Sequence, residues 1–297
     1  MRIYHNGQIV PLEKAAVSVM DHGYMYGVGL FETMKINNQY PFLYEDHLLR
    51  LRLGLESVKI KWDYTDEQVL QAIERTLIAN NIENGSIRLN VSAGEDVWGM
   101  PSYPYENPTT LIFARQATMA PYSTKAGVIL STRRNTPEGH VRLKSHHYLN
   151  NLIAYQELQG RKDVEGIFLT KEGYIAEGIL TNIFWVKDQR VFTPHVDTGI
   201  LDGITRRLII QLLHYCNIKV EEGFYSIDML MDSDEVFVTN SGQEVLPITE
   251  IEDKSFFGTQ GEVTKKLQTL ISLCPSKLAS TKHIKGVNER GDCIIAK

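Results

Sequence analysis

Short segments of alternating apolar and polar residues recur in both halves of the chain, separated by stretches whose apolar residues repeat at helical spacing. That pattern requires sheets with helices packed on them, because a half-buried strand repeats every two residues and a surface helix buries one stripe. The firmest helix is 204–216, where Leu208, Leu212 and Tyr215 share a face. Leu48, Leu51 and Leu55 predict another over 44–55, and a third runs over 66–79 with Thr65 as its N-cap. A fourth is expected over 145–160. The opening residues form a strand that turns at Asn6-Gly7, followed by strands at 27–35, 86–92 and 109–114. Further strands are predicted at 126–131, 166–170, 174–177, 182–186 and 235–238.

Residues 116–125 lack periodicity and contain Pro121, which marks a boundary. The chain of 297 residues is near the size at which one core gives way to two. The expected division is a first domain over 1–118, an interdomain loop over 119–125, a second domain over 126–274 and a polar peripheral tail over 275–297. Trp98-Gly99-Met100-Pro101-Ser102-Tyr103-Pro104-Tyr105 reads as a loop whose aromatic residues suit a pocket wall as well as a packed surface.

With 31 basic and 36 acidic residues the formal charge is −5, and no basic run calls for a nucleic acid. No long apolar segment indicates a signal peptide or membrane span. Cys216, Cys274 and Cys293 are spaced neither as a disulfide framework nor as a metal cluster, so a reducing cytoplasm is the simplest location. His22, His146 and His147 lack the partners and spacing of a metal site. Gly23, Gly27 and Gly29 do not form a dinucleotide fingerprint, and no Gly-x-Ser-x-Gly elbow occurs.

Several residues could carry chemistry, each with a plain structural alternative. Lys144 precedes a helical pattern; a partly desolvated lysine can form an imine with an aldehyde and later move protons, but most lysines are solvated surface groups. His47 and Arg50 can face one site on the 44–55 helix, and the arginine fork suits a phosphate, or a surface ion pair with Glu45 or Asp46. The start of the 204–216 helix, with Ile204 and Thr205, offers unpaired amides to an anion, and Ser241 sits in a second polar turn; a capped helix and an ordinary turn would look the same. Glu177 at a strand end could keep a pyridine nitrogen protonated or simply be exposed. Arg88 could hold a substrate carboxylate or face solvent, and Tyr148 could bind a ring hydroxyl or be structural.

Taken together, these segments resemble the fold-type-IV pyridoxal-phosphate enzymes, which include branched-chain and D-amino-acid aminotransferases and 4-amino-4-deoxychorismate lyases. The marks are Asp21-His22-Gly23-x-x-x-Gly27-x-Gly29-x-Phe31-Glu32-Thr33, His47-Leu48-x-Arg50-Leu51, Leu143-Lys144-Ser145, Glu177-Gly178-x-x-x-Asn182-x-Phe184, Gly203-Ile204-Thr205-Arg206 and the turn at 239–247. The resemblance implies an α+β fold, with a small α/β domain, a larger β-barrel-like domain and the cofactor between them. It also implies a homodimer and a small-molecule substrate, with no nucleic-acid or membrane partner. It casts Lys144 as the Schiff-base lysine, Glu177 as the partner of the pyridine nitrogen and Tyr148 as the tyrosine near the ring hydroxyl. Arg50, Ile204, Thr205 and Ser241 become phosphate contacts, Phe31 and Arg88 substrate contacts, and Thr33 a second candidate proton carrier.

Within that family, Arg134-Asn135-Thr136-Pro137-Glu138-Gly139 and the run from Arg142 to Asn151 are similar to the 4-amino-4-deoxychorismate lyases of Gram-positive bacteria, as are Arg88-Leu89-Asn90-Val91-Ser92-Ala93-Gly94 and Glu165-Gly166-Ile167-Phe168-Leu169-Thr170. The implied reaction is a carbon–oxygen lyase step of folate biosynthesis that releases 4-aminobenzoate and pyruvate, with coupling to aminodeoxychorismate synthase. D-amino-acid aminotransferases usually carry an Arg-x-His pair that 95–105 lacks, which counts against that activity. The alternative is a pyridoxal-phosphate-dependent aminotransferase acting on D-amino acids or branched-chain amino acids, with Arg88 holding the carboxylate.

Overall fold

The computed structural model describes residues 1–101, 104–117, 123–288 and 293–295. Ser102 and Tyr103 of the expected aromatic loop, and 118–122 of the expected interdomain segment, lie outside the described residues. Two compact units emerge. The first is Met1–Met119 with Leu143–His147 and Ser276–Ser280; the second is Ala120–Arg142 with Tyr148–Pro275 and Thr281–Lys297.

The first unit contains β1 (Arg2–His5), β2 (Gln8–Pro11), α1 (His22–Tyr26), β3 (Gly29–Asn37), β4 (Tyr40–Pro41), α2 (Tyr44–Ser57), α3 (Asp66–Ala79), β5 (Gly85–Ser92) and β6 (Thr109–Gln116). Its strands form a six-stranded antiparallel sheet in the order β2-β1-β6-β5-β3-β4. One sheet face is apolar because β3 and β5 alternate: Leu30, Met34, Ile36, Ile87, Leu89 and Val91 join Leu48, Leu51 and Leu55 of α2 and Val69, Ile73 and Leu77 of α3 in one core. Thr65 and Gln68 close a capping box on α3, the Gln68 amide donating to Thr65 Oγ1 at 3.2 Å and the Thr65 amide to Gln68 Oε1 at 2.8 Å. Replacing Thr65 with alanine should lower the free energy of unfolding by about 1 kcal/mol, read from a denaturant titration.

The second unit contains β7 (Lys125–Ile129), α4 (Leu149–Glu157), β8 (Val164–Leu169), β9 (Ile175–Gly178), β10 (Asn182–Lys187), β11 (Arg190–Pro194), α5 (Ile204–Tyr215), β12 (Val220–Gly223), α6 (Ile227–Met231), β13 (Glu235–Asn240), β14 (Glu244–Ile251), β15 (Lys254–Ser255), α7 (Glu262–Ser272), β16 (Ile284–Val287) and β17 (Cys293–Ile295). The main sheet is nine-stranded and mixed, in the order β12-β11-β10-β13-β14-β7-β8-β9, with β15 on β14. It curls into a half-barrel, and its end strand β9 turns back toward β10 with the Gly178 amide donating to the Thr181 carbonyl at 2.8 Å.

Two expectations need correction. The helix expected from 145 starts at Leu149. Residues 144–146 instead lie along β3, where the Phe31 amide donates to the Lys144 carbonyl and the His146 amide to the Gly29 carbonyl, both at 2.9 Å. Backbone pairing to a strand wins there over local helical spacing. The stretch beyond Pro275 is not merely a polar tail, for Leu278 and Ser280 are buried in the first unit. There the Leu43 amide donates to the Leu278 carbonyl and Ser280 Oγ to Asp46. Among the described residues, no helix is long and apolar enough to cross a membrane.

Candidate active site

Residues of the first unit fall on the two faces of β3. Phe31 and Thr33 are on the face away from the helices, and Arg88 lies directly across from Thr33 in β5. The Arg88 guanidinium covers the Phe31 ring, its Cζ 3.6 Å from the ring centre, and Lys144 Nζ stands 4.7 Å from that centre. Phe31 is buried, whereas Arg88 is exposed and its Nε donates to Asn90 at 3.1 Å. Thus Lys144, Phe31, Arg88 and Thr33 belong to one neighbourhood.

His146 and His147 explain two glycines. A Cβ on Gly29 would come within 2.4 Å of the His146 ring, and one on Gly27, which is left-handed at φ 72°, within 2.4 Å of the His147 ring. Only glycine lets these rings press against the entry to β3. His146 Nε2 is enclosed and meets no hydrogen-bond partner among the described residues. Burial, and then the Arg88 charge, lower the imidazole pKa to about 4 from 6.5. Below pH 6.5 the unfolded chain therefore takes up a proton here that the folded chain refuses until about pH 4. Stability should decline as pH falls through that window, and His146→Leu should flatten the decline in denaturant midpoints recorded against pH.

On the opposite face of β3, Glu32 occupies an apolar register between Leu30 and Met34. It meets His47 and Arg50 of α2: Arg50 Nε donates to Oε1, and Arg50 Nη2 and His47 Nδ1 to Oε2, each at 2.7 Å. Burial pushes the Glu32 carboxyl up, but the Arg50 guanidinium beside it and the His47 hydrogen bond more than reverse this and hold it at about 2. Burial also keeps His47 below its ordinary value. His47 and Arg50 do converge, as their spacing predicts, on an acid that sequence reasoning had quoted but given no role. The available signal was a charged residue in the register of Leu30, Met34 and Ile36.

The second unit holds the other candidates. Glu177, at the end of β9, is buried, and its Oε1 accepts from Arg134 Nε at 2.8 Å. Its Oε2 accepts from the Leu201 amide at 2.9 Å and from Asn182 Nδ2 at 3.4 Å, while Arg142 Nε lies 3.8 Å from Oε1. Burial and the neighbouring Arg134 lower Arg142 to about 10, which leaves it charged at neutral pH. Arg134 is fixed in turn by the side-chain oxygens of Asn150 and Asn151. Asn182 also donates to the Leu201 carbonyl at 2.8 Å, and its Oδ1 lies 2.1 Å from where a Cβ on Gly203 would be.

Gly203 precedes α5 with no side-chain cap, so the amides of Ile204 and Thr205 are helix-start donors without an intrahelical acceptor. Thr205 is buried, Ser241 half-buried just past β13, and Tyr148 half-buried just before α4. Within the second unit, a helix start and hydroxyls are donors of the kind a phosphate takes, and a buried carboxylate is an acceptor of the kind a protonated pyridine nitrogen takes. Arg134, Arg142, Asn182 and the Leu201 amide surround Glu177 without having been predicted to. Arg134, Arg142 and Asn182 stand in the family motifs with no role assigned.

Residues 29–251 match the family described as amino-transferase class IV. The chain belongs to that family. Class IV enzymes of this fold type depend on pyridoxal 5'-phosphate. The chain is 42% identical to the aminodeoxychorismate lyase of Bacillus subtilis (strain 168), over 96% of this chain and 97% of that protein. The branched-chain amino acid aminotransferase of Escherichia coli superposes with a TM-score of 0.83 at 28% identity, covering 91% of this chain and 93% of that one. The branched-chain aminotransferase of Thermoproteus uzoniensis, solved with norvaline, gives 0.82 at 27%, covering 95% and 96%. The fold is therefore the α+β fold of the type-IV enzymes, as the sequence motifs implied.

Proposed function

We propose that this class IV enzyme is an aminodeoxychorismate lyase, converting 4-amino-4-deoxychorismate to 4-aminobenzoate and pyruvate in folate biosynthesis. The observation that carries the reading is the 42% identity to a lyase across nearly the full length of both chains. The lack of Arg and His in 95–105 supports it.

Bound pyridoxal phosphate would supply an aldehyde that captures the substrate amine and a ring that accepts electrons. The phosphate would be held by Arg50, the Ile204 and Thr205 amides and Ser241, and the ring hydroxyl by Tyr148. Glu177, paired with Arg134 and the Leu201 amide, would keep the pyridine nitrogen protonated. Lys144 would take the proton from the amine-bearing ring carbon as the adjacent ether bond breaks. Loss of pyruvate then leaves an aromatic ring, which gives the lyase a driving force that amino transfer lacks. Arg88, supported by the Phe31 ring, would hold the ring carboxylate, and the proton taken by Lys144 would pass, through Thr33 across from Arg88, to the departing enolpyruvyl carbon. A homodimer working with aminodeoxychorismate synthase completes the reading.

The likeness to branched-chain aminotransferases, with the exposed fork of Arg88, favours a second reading as a relaxed aminotransferase. Incubation with aminodeoxychorismate in the absence of any keto acid separates them. Equal amounts of pyruvate and 4-aminobenzoate are expected. No turnover, with amino transfer from D-alanine or leucine to 2-oxoglutarate, would sink the lyase reading.

A further inference from the structure

We infer that Glu32 is a positioning residue for Arg50, fixing the guanidinium edge that meets a phosphate. The inference rests on the reading of Arg50 as a phosphate contact. Glu32 is 1% exposed and lies in the apolar register of β3, the most costly place on that strand for a carboxylate. Replacing a buried ion cluster with well-packed apolar residues is often neutral or stabilising, so stability alone does not account for an acid here.

Geometry gives Glu32 a different role. Its two oxygens engage the Nε and Nη2 atoms of one guanidinium edge, a bidentate grip that a single point contact would not provide. With that edge committed to β3, the Nη1 side of the planar group is set in one direction. His47, buried and also bound to Oε2 through Nδ1, restricts rotation of the carboxylate itself. Because burial disfavours a charge on His47, the cluster is one anion and one cation locked together.

Positioning and simple electrostatics predict opposite results for Glu32→Gln. Removing a negative charge near Arg50 would strengthen attraction for a phosphate dianion if charge alone mattered. Loss of the grip would weaken it, because an arginine that must be reoriented on binding loses the benefit of preorganisation. The decisive measurement is the dissociation constant, by absorbance titration, of pyridoxal 5'-phosphate and of pyridoxal, which lacks the phosphate. For Glu32→Gln, affinity for pyridoxal 5'-phosphate should fall about ten- to hundred-fold, the range of a lost charged hydrogen bond. Affinity for pyridoxal should stay within about two-fold, because that ligand offers Arg50 no phosphate to meet. Adding Glu32→Gln to Arg50→Gln should cost nothing further.

Unchanged or tighter binding of pyridoxal 5'-phosphate by Glu32→Gln would overturn the inference while leaving the Arg50 reading intact. If Arg50→Gln itself shows no phosphate-specific loss, the Arg50 reading fails and the inference with it. Pyridoxal binding reports on folding in every variant. Should Glu32→Gln not fold, Glu32→Asp retains the charge but is one methylene too short for the bidentate grip, and the same phosphate-specific loss is expected.

Discussion

Replacing Lys144 with alanine is expected to abolish the borohydride-reducible adduct with pyridoxal 5'-phosphate and to lower turnover by about 10⁴-fold or more. A positioned proton-transfer group contributes up to about that factor, and under the proposed function this amine is also the nucleophile that holds the cofactor. The fold should survive. What Lys144 gives β3 is its backbone carbonyl, which accepts from the Phe31 amide at 2.9 Å and is retained in alanine. The side chain contributes only the Nζ contact with the Phe31 ring, worth about 1 kcal/mol at most near an exposed surface. Absorbance before and after borohydride, a product assay and a denaturant titration check the three parts. Normal turnover by a folded alanine variant would remove Lys144 from the chemistry.

The sequence pattern makes the regular elements readable where local signals are complete. α3 starts and ends where its spacing and the Thr65 cap predict, and α5 differs from expectation by one residue at its C-terminus. Around Lys144 local spacing misleads, because the hydrogen bonds that draw 144–146 onto β3 come from Gly29 and Phe31, more than a hundred residues earlier. The same holds for 276–280, whose anchors are Leu43, Glu45 and Asp46. In the candidate site, motifs named the groups that would touch a cofactor. The groups that aim them were less visible: Arg134 reaches Glu177 across 43 residues, and the Leu201 amide has no side-chain signature at all. Glu32 was the exception, since an acid in an apolar strand register is legible without coordinates.

Glu177→Gln is the second change with a large expected effect, because it acts on stability and chemistry by separable routes. The substitution preserves volume but removes the counter-charge of Arg134 and Arg142, whose side chains are each 7% exposed. Breaking one member of a buried ion pair costs about 3–5 kcal/mol, chiefly because a charge is left uncompensated away from water. The new amide also meets a donor whichever way it turns, Arg134 on one side or the Leu201 amide on the other. Turnover of the folded fraction should fall by about 10²-fold or more, the scale on which one preorganised electrostatic partner acts. A paired substitution separates the two losses. Glu177→Leu with Arg134→Leu removes the carboxylate together with its closest cation, so the part of the loss that comes from Arg134 should return, as when buried pairs give way to apolar groups, while Arg142 keeps the Gly199 and Asn135 carbonyls. Turnover should stay low, because no carboxylate remains to keep the pyridine nitrogen protonated. If the double variant regained both stability and turnover, Glu177 would be a counter-ion for Arg134 and nothing more.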